Sequence, residues 1–229
     1  MRFVFLGPPG AGKGTQAARV AEQFGLRHAS TGDMFRQAAA AGSELGRTVK
    51  DYLDGGRLVP DELTSRVVEE MVLDAGGGYI LDGYPRTLGQ AEDLEANLER
   101  RGLSLSGIVY FDLADEEAVR RLTGRLVCAE CGRNFHREFM PPRNADVCDD
   151  CGGALRVRSD SAEPVVRKRL AEYHEKTEPL VAFYQGQGLL EHVDASAPPE
   201  EVERATVELL ERLGAQRQAP GQPAPGSDG

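Results

Sequence analysis

The sequence predicts an α/β fold in which a parallel five-stranded sheet is flanked by helices. Short apolar runs alternate with segments of helical periodicity along most of the chain, a pattern typical of parallel strands joined by helical crossovers. The chain has 229 residues, of which 40% are hydrophobic. It can therefore bury a sizeable core, in one domain or in one domain with insertions.

Apolar runs predict five strands, at Arg2–Leu6, Arg27–Ala29, Tyr79–Leu81, Ile108–Asp112 and Leu189–Val193. Helical periodicity predicts eight helices, at Gly14–Phe24, Thr31–Ala41, Glu44–Gly55, Asp61–Leu73, Leu88–Arg101, Asp115–Leu122, Ser161–Tyr184 and Pro199–Leu213. Pro179 lies inside the long helix that begins at Ser161. We expect it to kink that helix, because proline has no backbone N–H to donate.

Two segments interrupt this alternation, and the last residues of the chain differ from the rest in composition. Residues 31–59 hold two consecutive predicted helices without a strand between them, and residues 124–161 carry all four cysteines and several turn signals. We expect both segments to project from the sheet. From residue 214 onward the chain lacks apolar anchors, which predicts a disordered tail over 214–229.

Residues 7–15, with the sequence GPPGAGKGT, predict a phosphate-binding loop. They follow the first predicted strand and precede a predicted helix, the order in which such loops occur. Glycines allow backbone N–H groups to turn inward around a polyphosphate. The helix N-terminus adds partial positive charge, and Lys13 can reach the β- and γ-phosphates. We therefore expect a bound nucleoside triphosphate; the alternative is a glycine-rich turn that happens to contain lysine.

The loop departs from the general motif at one position. Gly14 stands where the motif has Ser or Thr, and Thr15 follows it. Direct ligation of magnesium by this hydroxyl is therefore not predicted.

The four cysteines predict a structural metal site. Cys128 and Cys131 form one CxxC pair, and Cys148 and Cys151 form a second, each pair followed by glycine. Two such pairs make a tetrahedral thiolate site, which zinc usually occupies and which iron can also fill. A disulfide would need an oxidising compartment. Four thiolates leave no position for His136, which we expect to be an ordinary packing or surface residue.

A second set of polar residues follows the strand predicted at Tyr79–Leu81. Asp82 lies at the strand end, and a turn made by Gly83 and Pro85 presents Arg86. A carboxylate beside a phosphate loop suits Mg²⁺ held through water, and a guanidinium suits a phosphate. The alternatives are a helix cap for Asp82 and a surface ion pair for Arg86.

The charge distribution favours a small anionic ligand. The net charge is −10, which argues against general binding to nucleic acid or to an anionic membrane. Residues 121–169 nevertheless hold ten Lys and Arg against seven Asp and Glu, so this stretch is locally basic. No apolar run approaches the roughly 20 residues that span a bilayer. We expect a cytoplasmic protein.

The chain resembles the adenylate kinases, which move a phosphoryl group between ATP and AMP. The motifs that carry the resemblance occur in the family's order: GPPGAGKGT, residues 30–36 (STGDMFR), residues 81–90 (LDGYPRTLGQ) and residues 166–170 (VRKRL). The resemblance covers residues 1 to about 213, and the cysteine cluster is similar to the lid of the zinc-containing, long-lid members.

The resemblance implies an arrangement of domains. The core would comprise residues 1–29, 60–123 and 162–213, with residues 30–59 binding the monophosphate and residues 124–161 forming a zinc-stapled lid over ATP. The implied partners are ATP and AMP or ADP, with Mg²⁺ and structural Zn²⁺, and without nucleic acid or membrane. We expect a monomer.

The resemblance also implies a role for individual residues. ATP would be bound by Gly10, Ala11, Gly12, Lys13, Gly14, Thr15, Arg121, Arg125, Asn134, Phe135 and Ala197. AMP would be bound by Thr31, Arg36, Arg57, Leu58, Val59, Gly83, Tyr84, Pro85, Arg86, Gln90, Arg158 and Arg169, with Gln90 reading the adenine edge. The catalytic set would be Lys13, Asp82, Arg86, Arg125, Arg158 and Arg169. The family often has paired aspartates where this chain has Asp160 and Ser161, and the Ala197 loop matches only loosely.

Other readings remain open on the sequence alone. One alternative is a nucleotide kinase whose acceptor is UMP, CMP or GMP in place of AMP. A zinc-ribbon protein that binds nucleic acid and carries an ATPase-like loop is a different class, which the net charge disfavours. A regulatory ATP sensor would leave the arginines on the acceptor side unexplained.

Overall fold

The computed structural model describes residues 1–73 and 76–218. Five strands form one parallel sheet in the spatial order β2-β3-β1-β4-β8. They are β1 Arg2–Leu6, β2 Arg27–Ser30, β3 Tyr79–Asp82, β4 Gly107–Asp112 and β8 Leu190–Asp194. The predicted fold class is confirmed.

Helices connect these strands and cover both faces of the sheet. They are α1 Lys13–Phe24, α2 Thr31–Ala40, α3 Glu44–Asp54, α4 Asp61–Val68, α5 Leu88–Arg100, α6 Asp115–Thr123, α7 Glu163–Lys176, α8 Pro179–Gly186 and α9 Pro199–Gln218. One π-helical turn, Glu69–Leu73, continues α4, and a short 3₁₀ turn, Ser159–Ser161, precedes α7.

Strand β1 shows why the sheet is buried on both faces. Val4 and Leu6 contribute to one hydrophobic cluster, and Phe3 and Phe5 contribute to a second cluster. Successive side chains of a strand point to opposite faces, so a continuous apolar run serves two helical layers at once. This burial fixes where β1 ends and therefore where the loop after Leu6 begins.

The segment at residues 30–59 holds α2 and α3, which pack tightly against each other. A Cβ added at Gly46 of α3 would lie 2.0 Å from the carbonyl oxygen of Ala38 in α2. Glycine at this position therefore permits the close approach of the two helices.

The segment at residues 124–161 contains a small antiparallel sheet that the sequence did not predict. Its strands are β5 Arg125–Cys128, β6 Asn134–His136 and β7 Leu155–Arg156, in the order β6-β5-β7. The buried side chains of Leu126, Phe135 and Leu155 cluster with Cys128 and Cys148. Strands of two to four residues carry too little periodic signal to be recognised in advance.

The single helix predicted from Ser161 to Tyr184 is wrong, because it is two helices. Helix α7 ends at Lys176, and Pro179 begins α8. The N–H groups of Thr177 and Glu178 both donate to the carbonyl oxygen of Tyr173, which closes α7 before the proline. A proline fits the first turn of a helix, where its missing N–H is not needed.

The prediction that a disordered tail begins at residue 214 is wrong for residues 214–218. Helix α9 continues through Gln218, and the rest of the predicted tail lies outside the described residues. Within the described ranges, no helix is both long and apolar enough to cross a membrane.

Candidate nucleotide site

The candidate site lies at the carboxyl edge of the sheet. Because the five strands are parallel, their carboxyl ends and the loops that follow them meet at this edge, where ligands of open α/β sheets bind. A cleft of about 970 Å³ opens there. Residues of the loop after β1, of the segment 30–59 and of the segment 124–161 all line this cleft.

The loop after β1 has the backbone geometry of a phosphate cradle. Gly10 and Gly12 have φ angles of 88° and 81°, a region that favours glycine. Helix α1 begins at Lys13, so the first N–H groups of that helix have no intrahelical partner and are free for an anion. The ammonium group of Lys13 donates to the carbonyl oxygens of Gly7 and Pro8, at 2.8 Å each.

Burial lowers the pKa of Lys13 to about 8. The Asp82 carboxylate opposes this shift, whereas Arg86 and Arg169 add to it. The ammonium group thus lies in a cleft where other cations disfavour its charge, and an anion bound there would restore it.

Asp82 lies beside the phosphate loop. A Cβ added at Gly14 would be 3.1 Å from the Oδ2 atom of Asp82, so the absence of a side chain at position 14 leaves room for the carboxylate. Nε2 of His28 lies 3.4 Å from the same oxygen. Burial disfavours the ionised form, but the bond to His28 and the charge of Lys13 prevail and hold the pKa of Asp82 below its usual range.

Arg86 is held in place by the turn that follows β3. Its Nε donates to the carbonyl oxygen of Gly83 at 2.8 Å, and the Thr31 hydroxyl donates to the same oxygen at 2.9 Å. The Thr177 hydroxyl donates to the Arg86 carbonyl oxygen. These bonds fix the backbone and the Nε atom of Arg86, and the residue lines the cleft.

The side-chain amide of Gln90 makes hydrogen bonds within the protein at both of its polar atoms. Its Oε1 accepts from the Arg86 N–H at 2.8 Å, and its Nε2 donates to Asp61 at 2.7 Å. Asp61 also accepts from the Thr87 hydroxyl. These bonds orient the Gln90 amide, and Gln90 lines the cleft.

Three arginines converge on one carboxylate, that of Asp160. Arg158 donates to it at 2.6 and 2.9 Å, Arg169 donates at 2.9 Å, and an Arg125 nitrogen lies 3.5 Å away. Burial disfavours the charge of Asp160, but the three guanidinium groups, that of Arg169 first, hold its pKa below its usual range. Ser161 follows and is buried, so it brings no second carboxylate.

Of the three arginines, Arg125 lies farthest from the Asp160 carboxylate that offsets their charge. Burial and the charge of Arg158 lower its pKa to about 9, against the opposing effect of Asp160. Its Nε and Nη2 are buried without a hydrogen-bond partner. Buried donors without partners are unfavourable, and a phosphate in the cleft would supply acceptors for them.

At the side of the cleft formed by residues 30–59, Arg36 pairs with Asp33. The guanidinium of Arg57 lies 4.8 Å from the ring centroid of Tyr52. At the opposite side, Arg121 donates to Glu117 at 2.9 Å and to the Ala195 carbonyl oxygen at 2.8 Å. The cleft therefore has cationic side chains at both ends.

The structure brings nearly all of the predicted site residues to this one cleft. Those that line it are Gly10, Ala11, Gly12, Lys13, Gly14, Thr15, Thr31, Arg36, Arg57, Leu58, Val59, Asp82, Gly83, Pro85, Arg86, Gln90, Arg121, Arg125, Asn134, Phe135, Arg158, Arg169 and Ala197. Tyr84 is the exception among the predicted nucleotide contacts. Its ring is buried in the core, and its hydroxyl donates to the Gln90 carbonyl oxygen, so it is not among the residues that line the cleft.

Sequence reasoning missed the residues that orient this set. His28 contacts the carboxylate of Asp82. Asp61 accepts a hydrogen bond from Gln90, and Gln16 donates one to the carbonyl oxygen of Pro199. No motif marks such partners.

The four cysteines come together in the segment 124–161. Their sulfur atoms all lie within 4.8 Å of one another. The sulfur atoms of Cys128 and Cys151 are 3.4 Å apart, and those of Cys131 and Cys148 are 3.6 Å apart. Tetrahedral bonds of about 2.3 Å would place sulfurs about 3.8 Å apart, so the donor set fits a four-coordinate metal ion. The separations are too long for a disulfide bond of about 2.05 Å.

His136 does not belong to this metal-binding group. Its Nδ1 accepts from the N–H groups of Glu138 and Phe139 at 3.0 Å each, and its Nε2 lies 3.4 Å from the Arg120 carbonyl oxygen. A Cβ at Gly124 would lie 2.3 Å from Nε2. His136 thus packs at the base of the segment 124–161.

The fold and the site define a nucleotide-binding protein of the phosphate-loop class. A strand, a glycine loop and a helix beginning with lysine grip a polyphosphate, and the arginines across the cleft provide for further phosphates.

Comparison with known proteins narrows this class. The adenylate kinase family model matches residues 5–189. An adenylate kinase of Fervidobacterium nodosum is 47% identical over 212 residues, which cover 92% of this chain and 97% of the relative. Adenylate kinases of Streptomyces coelicolor and Archaeoglobus fulgidus are 45% and 44% identical, each over 93% of this chain and 99% of the relative. The chain belongs to the adenylate kinase family.

We predict that ATP binding at pH 8.5 takes up protons. Lys13, with a pKa of about 8, is mostly neutral at that pH, and bound phosphates would raise its pKa and protonate it. Calorimetry in two buffers of different ionisation enthalpy should give roughly 0.5–0.8 proton taken up per ATP at pH 8.5 and roughly 0.2 at pH 7.5. Equal uptake at the two pH values would contradict the assignment.

We also predict that Cys128→Ser loses bound metal and lowers the melting temperature by about 5–10 °C, because metal binding stabilises this segment. Metal analysis and thermal unfolding of the purified protein check this. Asp150→Asn is the matched control: this exposed residue lies between two of the cysteines and pairs with Arg133, so its loss should leave metal content unchanged. A wild-type protein without metal, or a variant with unchanged melting, would sink the idea.

Proposed function

We propose that the protein catalyses reversible, Mg²⁺-dependent phosphoryl transfer from ATP to AMP, giving two ADP. The observation that carries the proposal is the row of cations between the phosphate loop and the segment 30–59. Lys13 lies at the donor end, Arg36 and Arg86 lie at the acceptor end, and Arg125, Arg158 and Arg169 lie with Asp160 within the same cleft.

On the donor side, the N–H groups of the loop and Lys13 would hold the β- and γ-phosphates. Arg121 and the Ala197 loop would lie against the adenine. Arg121 supports this role because its guanidinium is already fixed by Glu117 and Ala195, so little freedom is lost when a base stacks on it.

On the acceptor side, Arg36 and Arg86 would bind the monophosphate, with Thr31, Arg57 and the backbone of Leu58 and Val59 around the nucleoside. Arg86 is supported by its fixed backbone and by its one bond from Nε, which leaves the remaining guanidinium donors for phosphate. Gln90, oriented by its bonds to the Arg86 N–H and to Asp61, would read the adenine edge.

The chemistry requires charge and alignment more than proton transfer. The acceptor oxygen of a monophosphate is already anionic, so no general base is needed. The cost lies in bringing an anionic triphosphate and an anionic monophosphate together in line, and preorganised cations offset this cost. The exchange of Asp160 for phosphate as the partner of Arg125, Arg158 and Arg169 would bind the transferring group where the charge is greatest.

Two metal ions belong to the proposal. Mg²⁺ neutralises phosphate charge when bound, and Asp82, beside Gly14, is the carboxylate placed to hold its water shell. Zn²⁺ is the proposed occupant of the four thiolates, as a structural ion that leaves no open coordination position.

Water must be kept from the bound ATP, and the segment 124–161 is the proposed lid that excludes it. Asn134 and Phe135 of this segment already line the cleft, and closure around the nucleotides would expel water. We further propose a cytoplasmic monomer. Support for the compartment comes from the four cysteines, which form no disulfide bond with one another and so suit a reducing environment.

The test is transfer from ATP to each of AMP, UMP, CMP and GMP, measured by coupled assay with and without Mg²⁺. We expect a strong preference for AMP and dependence on Mg²⁺. We expect Arg86→Ala to lower kcat/KM by about 100-fold or more, because a charged donor to the transferring phosphates is lost.

Arg47→Ala is the matched control, since this exposed arginine of α3 donates to the Gly42 carbonyl oxygen and is not among the described residues that line the cleft. It should retain wild-type activity. A preference for a pyrimidine monophosphate, or full activity in Arg86→Ala, would overturn the proposal.

A further inference from the structure

Gln16 is a buried polar residue that the proposed chemistry does not use. It lies in the first turn of α1, directly after Thr15, and is 3% exposed. Its Nε2 donates to the Pro199 carbonyl oxygen at 3.0 Å. Its Oε1 is buried without a hydrogen-bond partner, and Gln16 lines the cleft.

The bond ties the phosphate-binding helix to the loop 195–199, a name used here for the connection after β8 together with Pro199, the first residue of α9. Residues 195–199 all line the cleft. Arg121 holds the other end of this loop through its 2.8 Å bond to the Ala195 carbonyl oxygen, and the Ala195 N–H donates to the Asp112 carbonyl oxygen at 2.9 Å. The loop is thus held at both ends. Arg121 bonds to Ala195, and Gln16, beside the phosphate-binding loop, bonds to Pro199.

The orientation of the amide follows from its partner. A carbonyl oxygen only accepts, so the NH₂ group faces Pro199 and Oε1 faces elsewhere. A buried acceptor without a partner is unfavourable, and a methionine of similar size would avoid that cost. What the amide contributes at this position is therefore its bond to the loop.

We infer that Gln16 is a positioning residue for the donor base. It sets the loop 195–199 at a fixed distance from the phosphate-binding loop, residues 7–15, and so helps the site to discriminate ATP from GTP. The inference rests on the proposed function, which places the donor adenine against Arg121 and this loop. Because the α-phosphate and the base of one nucleotide are held by adjoining elements, a shift of the loop changes which base fits.

The test compares Gln16→Met and Gln16→Asn with the wild type. Methionine removes the bond, and asparagine keeps the amide but is one methylene too short to reach Pro199. Calorimetry gives the Kd for ATP and for GTP, and steady-state assays give KM for ATP and for AMP. We expect the Kd and KM for ATP to rise about three- to tenfold and the preference for ATP over GTP to fall by a similar factor.

Both variants should leave KM for AMP within about twofold, and Gln16→Met should not lower the melting temperature, since methionine removes the unpartnered Oε1. Glu203→Gln is the matched control. It weakens the neighbouring contact between α1 and α9, the 2.6 Å pair of Arg19 with Glu203, without touching the loop, and it should leave ATP affinity and base preference unchanged.

Two results would overturn the inference: unchanged ATP affinity and base preference in both Gln16 variants, or equal losses toward ATP and AMP together with lowered melting, which would mark a merely structural role. The wild-type assay separates this outcome from failure of the proposed function. Absence of transfer from ATP to AMP in the wild type would defeat the proposed function, whereas the ATP and GTP affinities would still decide the role of Gln16.

Discussion

The site depends on holding many like charges together in a partly buried cleft before any nucleotide is present. Three guanidinium groups share the carboxylate of Asp160, and Lys13 shares the neighbourhood of Asp82. Each carboxylate keeps its charge against burial because cations surround it. The acids thus act as placeholders, and the phosphates of a substrate would take over their partners at little cost in reorganisation.

The rest of the structure serves this arrangement. The parallel sheet brings the ends of β1, β3 and β8 to one edge, which places the phosphate loop, the Arg86 turn and the loop 195–199 around one cleft. Arg125, at the start of β5, and Arg158 flank the segment that holds the four cysteines. A metal ion there would fix a segment that has only a small apolar cluster of its own.

Much of this could be predicted from the sequence, because motifs reveal residues that touch phosphate or metal directly. The phosphate loop, the four cysteines and the residues after Asp82 fall into this group. Their supporting partners could not be predicted, since the contacts of His28 with Asp82 and of Gln16 with Pro199 depend on tertiary packing. Two helix boundaries also differed from the prediction. Pro179 begins a new helix instead of bending one, and α9 continues to Gln218.

The most direct test of the placeholder account is the thermal stability of Asp160→Asn with and without tripolyphosphate. Without the anion, the three arginines lose their shared carboxylate, and the melting temperature should fall by roughly 5–10 °C relative to wild type. Saturating tripolyphosphate should restore most of that loss, so the anion should stabilise the variant more than the wild type. Equal stabilisation of both proteins, or unchanged melting of the nucleotide-free variant, would contradict the account.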